Sequence, residues 1–220
     1  MVNLWKPYGN LMATLRKPND MKRLITITGP SGAGKDTVAR MMSEMTDWPV
    51  LCSYTTRPMR EGEKDGREHY FVEQVDVSPT KMLAHTRYGG FDYWTRLDQV
   101  EDTAIYIIDE VGLVGLKKNH PDIEVFSINV YSLLQIRLMR GAKLPRIIRD
   151  VERLRNAPQI KYDYLIHNNQ DKSSLRGYVV LCICNIPFVK DMLSSIYQED
   201  DEDDFIELLH SEIFNNMTNE

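Results

Sequence analysis

Five short apolar runs punctuate the chain, and the segments between them are longer and more polar. The runs are RLITITG (residues 23–29), PVLCSY (49–54), AIYIID (104–109), EVFSINV (124–130) and YDYLIHN (162–168). Their β-branched and aromatic content, and the glycine or acid that closes several of them, predicts strands. Apolar residues three and four apart predict helices over about residues 34–45, 132–140 and 145–155. Strands that alternate with helices call for a parallel sheet covered on both faces. Residues 55–95 are polar and loop-rich, the pattern of an insertion beside such a core. Pro7, Gly9, Pro18 and Asn19 mark residues 1–22 as an extension ahead of the domain. In the acidic tail (198–220), Phe205, Leu208, Leu209 and Phe214 fall near helical spacing, the pattern of a terminal surface helix.

Composition narrows the class. The chain has 220 residues, 42% of them hydrophobic, enough for one α/β domain with a buried core. The net charge of -5 is concentrated in the run from Glu199 to Asp204, and the remainder is close to neutral. That leaves no global basic field for nucleic acid. The opening MVNLWKPYGN has no apolar signal core, and LRGYVVLCICNIPFV is short and broken by Asn185 and Pro187, so no membrane association is expected. Cys52, Cys182 and Cys184 are odd in number and lack ligand spacing, as in a reduced, cytoplasmic protein. His167 with Cys182 and Cys184 is better read as a strand end and a buried helix than as a metal site.

Gly29-Pro30-Ser31-Gly32-Ala33-Gly34-Lys35 fits the pattern G-x-x-x-x-G-K, after a predicted strand and at the start of a predicted helix. Glycines let successive N–H groups converge on one anion, the helix N-terminus adds a positive dipole end, and Lys35 supplies a point charge. The next position usually carries a magnesium-binding hydroxyl. Here it is Asp36, followed by Thr37, and either side chain is a candidate for Mg²⁺ or its waters. Asp109, at the end of its strand, reads equally as a ligand-facing acid or as the cap of a following helix.

A second anion site is legible in SYTTRPMREGEKDGREHYFV (residues 53–72). Arg57 and Arg60 lie three apart beside hydroxyl residues, a grouping suited to a doubly charged phosphate. Thr55, Thr56, Arg57, Arg60, Glu63, Gly66 and Phe71 stand in register with the guanylate kinase signature, and the segment closely resembles that family from about Arg23 to Asn169. The resemblance implies a P-loop NTPase core of α/β class, a parallel sheet covered by helices. It also implies a small nucleotide-monophosphate-binding insertion at about 55–95 and an arginine-bearing lid at about 137–155, all within residues 23–197. It assigns the acceptor phosphate to Ser53, Arg57, Arg60, His69 and Tyr93, and a base-contacting hydroxyl to Thr95. Three departures stand out. His69 replaces the family's tyrosine, Trp94 replaces a glycine, and the two carboxylates that meet guanine map to Ala84 and Ile107.

The same resemblance places Arg137 and Arg140 at the start of the lid and Arg153 at its end, with Arg149 one turn earlier as a rival. These cations would meet the transferring phosphoryl group. Asn168 would lie near the ATP adenine. The implied activity is transfer of the γ-phosphoryl of Mg·ATP to a nucleoside monophosphate, GMP or dGMP, with only small-molecule nucleotides as partners. Two alternatives stay open: a kinase for another nucleotide or a phosphorylated sugar, and a non-catalytic guanylate-kinase-like binding module. Lys35 argues against the second, because such modules typically lose that lysine.

Overall fold

The computed structural model describes residues 21–196, so the readings made for residues 1–20 and for the acidic tail lie outside the described residues. Strand β1 (Arg23–Thr28) is the axis of the main sheet. It pairs in parallel with β6 (Thr103–Ile107) on one side and β7 (Glu124–Tyr131) on the other, and β8 (Tyr164–His167) extends the sheet beyond β7. All its pairings are parallel, so crossover segments must cover its faces.

The alternation of β1 sorts the two faces. Ile25 and Ile27 face α1 (Lys35–Thr46), α5 (Lys172–Cys184) and α6 (Pro187–Ile196). There they share a core with Met41, Met42, Val179 and Ile183. Leu24 faces the other way and joins Ala104, Tyr106, Leu113 and Leu116, the last two from α2 (Glu110–Asn119). Each such side chain contributes about 2 kcal/mol by leaving water. Thr26 and Thr28 are fully buried in the same strand, and their hydroxyls donate to the carbonyls of Phe126 and Ile128. No single helix among the described residues is long and apolar enough to cross a membrane. Only α5 and α6 together reach that length, with a 75° break between them.

The run at residues 49–54 departs from the predicted strand. Only Val50 bridges to the main sheet, where Leu51 donates to the Ile105 carbonyl and Ile105 to that of Pro49. The chain then leaves, because Tyr70 claims the Ser53 carbonyl at 2.9 Å. The result is a second sheet in the order β3-β2-β5-β4. Its strands are β2 (Tyr54–Thr55), β3 (Tyr70–Phe71), β4 (Met82–Tyr88) and β5 (Phe91–Arg96). Gly89 and Gly90 both hold positive φ, 60° and 84°, and make the tight turn from β4 to β5. Leu83 of β4 is buried with α2 and seats this sheet on the core. The helices predicted over residues 132–140 and 145–155 are α3 (Leu134–Met139) and α4 (Leu144–Arg155), joined through Gly141 at φ 85°.

Candidate active site

Strand β1 delivers the chain into the glycine loop, and α1 begins at Lys35. Gly34 caps α1 with φ 99°, a conformation that glycine adopts at little cost. The fit around the loop is close. A Cβ on Gly29 would stand 2.2 Å from the Val130 carbonyl oxygen, and one on Gly34 would stand 2.4 Å from the Asn168 side-chain nitrogen. Lys35 folds back and donates to the carbonyls of Gly29 (2.9 Å) and Pro30 (3.2 Å). Burial lowers its pKa against the opposing pull of Asp36 and Asp150.

A cleft of about 300 Å³ opens beside this loop. Gly29, Ser31 and Lys35 line one wall. Ser53, Arg57, Arg60, His69 and Tyr93 line the opposite one. The structure therefore brings the two anion-binding groups predicted from sequence to one cavity. A larger groove of about 460 Å³ runs between α2 and β4, but its only ionisable lining residues, His85 and Asp92, are paired at 2.9 Å. Chemistry rather than size selects the cleft.

On the wall opposite the loop, Glu63 grips Arg57 with both oxygens (2.9 and 3.0 Å) and accepts from the Arg60 amide at 2.8 Å. The Arg57 guanidinium beside it, more than any other group, holds Glu63 down to about 2. Desolvation opposes the charge on Arg57, and Glu63 overcomes it. Ser53 Oγ meets His69 Nδ1 at 2.8 Å. Burial, aided by the nearby Arg57 charge, lowers the His69 pKa and favours the neutral imidazole. Trp94 is buried and stacks on Tyr54 at 5.6 Å, a core role rather than a lining one.

Helix α4 forms the third wall. Arg146, Arg149, Asp150 and Arg153 share one face of it and all line the cleft. Leu144, Ile148, Val151 and Leu154 lie on the opposite face and are exposed. The polar face is tied at several points. Arg149 lies 5.7 Å over the Tyr88 ring of β4, Arg153 is ion-paired with the buried Glu110 of α2, and Asp150 reaches the glycine loop. Asp150 accepts from the Ser31 amide at 2.6 Å and from the Ser31 hydroxyl at 3.2 Å. Sequence reasoning passed over Arg146, Asp150 and Glu110. The spacing of 146, 149, 150 and 153 carried a signal, since those positions recur on one helical face.

Other expected site residues sit elsewhere. Arg140 does not face the cleft. Its guanidinium donates to the carbonyls of Asn168 (3.0 Å) and Gln170 (3.2 Å) and to the Asn168 side-chain oxygen (3.1 Å). Asn168 in turn donates to the Ala33 carbonyl at 2.8 Å, so it braces the loop from behind. Arg137 is buried against Gly32, outside the cleft lining. Thr95 is fully buried and meets the Tyr106 hydroxyl at 2.8 Å; Tyr106, not Thr95, reaches the cleft. Ala84 lines the other groove, and the cleft side of β4 presents Thr86 and Tyr88. Asp109 caps α2 by accepting from Gly112 at 2.7 Å, and it also lines the cleft near Ile107. Asp36 is exposed and Thr37 half-buried on the first turn of α1, and neither lines the cleft.

Comparison with known proteins agrees with this geometry. A family model described as guanylate kinase matches residues 21–176. The chain is 33% identical over 172 residues to a guanylate kinase of Symbiobacterium thermophilum, covering 69% of this chain and 81% of that one. It is 32% identical over 201 residues to a guanylate kinase of Streptococcus pneumoniae, covering 82% and 95%. Among solved structures, the guanylate kinase of Anaplasma phagocytophilum superposes with a TM-score of 0.54 at 20% identity, over 81% of this chain and 88% of that one. That last likeness speaks to fold alone.

Proposed function

The chain belongs to the guanylate kinase family, and on that footing we propose that it transfers the γ-phosphoryl of ATP to GMP, giving ADP and GDP. The observation that carries the reading is the single cleft with the Lys35 loop on one wall and the Arg57–Arg60 pair on the other. Phosphoryl transfer asks little covalent chemistry of a protein. It asks for two phosphates held in line, cations around the equatorial oxygens, and exclusion of water.

In this reading the loop from Gly29 to Gly34, through the N–H groups of its residues other than Pro30, and the Lys35 ammonium hold the donor phosphates. Arg57, Arg60, Ser53, His69 and Tyr93 hold the acceptor phosphate, with Glu63 fixing the Arg57 fork. Arg146, Arg149 and Arg153 supply the cations nearest the transferring group, and residues 137–155 act as the lid. Arg137 and Arg140 act from behind the loop. Magnesium favours phosphate oxygens supplemented by one or two carboxylates and water. Asp109, in the cleft, fits that mode; Asp36 and Thr37, on the first turn of α1, lie outside the cleft lining and would reach the ion only through its waters; the ion would screen phosphate charge. The extension at residues 1–22, the catalytic domain at 23–197 and the tail beyond it are proposed as one polypeptide working in the cytoplasm on small nucleotides.

A coupled ADP-release assay across GMP, dGMP, AMP, CMP, UMP and TMP tests the proposal. Turnover with GMP or dGMP that disappears in Lys35→Ala is expected. Turnover with none of the six would overturn it. A second reading, a kinase for another nucleotide, draws on the cleft side of β4, where Thr86 and Tyr88 stand without a carboxylate. The same panel separates the two.

A further inference from the structure

A phosphate-binding loop is an anion receptor, and in this structure it already holds an anion. The Asp150 carboxylate receives the Ser31 amide at 2.6 Å on one oxygen and the Ser31 hydroxyl at 3.2 Å on the other. The contact spans 119 positions of sequence and is partly buried, with Asp150 itself 7% exposed. Lys35 responds to this charge, which favours its ammonium form. Arg153 approaches the same carboxylate at 3.9 Å. A main-chain N–H, a hydroxyl and a cation around one oxyanion make the environment that a donor phosphate oxygen requires.

Two anions cannot share the Ser31 amide. A triphosphate carries far more charge than a carboxylate, and at this distance like charges in a partly desolvated cleft repel strongly. We propose that Asp150 is a built-in competitor for the donor phosphates: it occupies the loop in the nucleotide-free protein and must be displaced when ATP enters. Asp150 shares a helical face with Arg146, Arg149 and Arg153, so its departure releases one of the ties that hold that face, the others being Arg149 on the Tyr88 ring and Arg153 on Glu110. Donor binding is thereby coupled to repositioning of the arginines that face the transferring group. The apparent donor affinity of the free protein is lowered by the fraction of molecules in which the loop is occupied.

This inference rests on reading the loop as the donor site, and its test avoids turnover. Binding of ATP, and separately of inorganic tripolyphosphate, is measured calorimetrically without acceptor on the full chain, Asp150→Asn and Asp150→Ala. The asparagine variant keeps shape and removes charge, so it remains informative should the alanine variant fold poorly. Removal of the competitor is expected to lower the dissociation constants of both ligands by about threefold or more. Unchanged or weakened binding in the asparagine variant would overturn the proposal, since a carboxylate that merely braced Ser31 would help the donor. Tightening for ATP without tightening for tripolyphosphate would also overturn it, because the competition must act at the phosphates. Failure of the unsubstituted protein to bind either ligand would remove the donor-site reading as well.

Discussion

Asn168, at the end of β8, donates its side-chain amide to the main-chain carbonyl of Ala33 at 2.8 Å, across 135 positions of sequence. The amide oxygen of the same residue accepts from Arg140 at 3.1 Å. One planar group thus links the rear of the glycine loop to the junction of α3 and α4. Asn168→Ala removes both bonds and leaves a buried carbonyl and a guanidinium short of partners. A loss of about 1–3 kcal/mol in unfolding free energy and a several-fold weaker affinity for ATP are expected. Chemical denaturation and ATP titration check the two effects.

Gly34 tests the same joint from the other side. An added methyl group would meet the Asn168 nitrogen at 2.4 Å and would force a non-glycine residue to φ 99°. Gly34→Ala should cost about 2 kcal/mol or more and weaken ATP binding. In the Asn168→Ala background the steric part vanishes and the backbone part remains. The double variant is therefore expected to lose less than the two single losses combined, which a double-mutant cycle measures.

Glu63 makes acid sensitivity a property of the wall that carries Arg57 and Arg60. Its carboxyl is held down to about 2 by Arg57, against an ordinary 4.5. A depressed carboxylate pKa adds stability that is fully present above about 4.5 and disappears as the pH falls toward 2. Relative to Glu63→Gln, the parent protein should be more stable at pH 7, and the difference should shrink between pH 4.5 and 2. Parallel denaturant curves at several pH values read the change. At neutral pH, Glu63→Gln should also raise the KM for the acceptor more than that for ATP, because it releases the Arg57 fork.

His69 titrates with the opposite charge and the same pH direction. Its folded pKa lies below the ordinary 6.5, so the unfolded chain binds protons more readily. The stability tied to the neutral ring is complete above 6.5 and is lost as the pH falls through the lower, folded value. The melting temperature of the free protein should drop more steeply below pH 6.5 than that of His69→Gln. Bound acceptor phosphate, an anion beside the ring, should reduce that difference.

Arg153 and Glu110 form an ion pair between α4 and α2, with Glu110 only 3% exposed. Arg153→Met strands a buried carboxylate and should cost about 3–5 kcal/mol, as breaking a buried pair does. The double variant Arg153→Met with Glu110→Gln should recover a large part of the stability and none of the transfer activity. Thermal melts and the ADP-release assay separate those outcomes.

How much of this was legible beforehand follows from the range of each interaction. The loop at 29–35 and the Arg57–Arg60 segment could be read from the chain because their function depends on near neighbours: glycine torsions, a helix start, and guanidiniums three apart. Hydrophobic periodicity located four of the five predicted strands for the same reason. It misassigned residues 49–54 because Ser53 pairs with a residue seventeen positions later, which no local pattern displays. Arg140 and Asn168, read from the resemblance as nucleotide contacts, are bonded to each other, which no local pattern displays. A charged or amide group satisfies the partner nearest in space, and that partner is chosen by packing.

The sequence by itself determined the chemistry at hand: a glycine loop with its lysine, a second segment with paired arginines, and a core able to hold a parallel sheet. Only the tertiary structure decided that both sites open into one cleft, that Arg146, Arg149 and Arg153 face it while Arg137 and Arg140 do not, and that Asp150 sits on the loop. The physical reason is distance. Torsional preference and periodicity act over a few residues and are written locally. Convergence of Ser31, Arg57 and Asp150 depends on how α4 and the second sheet dock on the core, which is settled by burial across the whole domain.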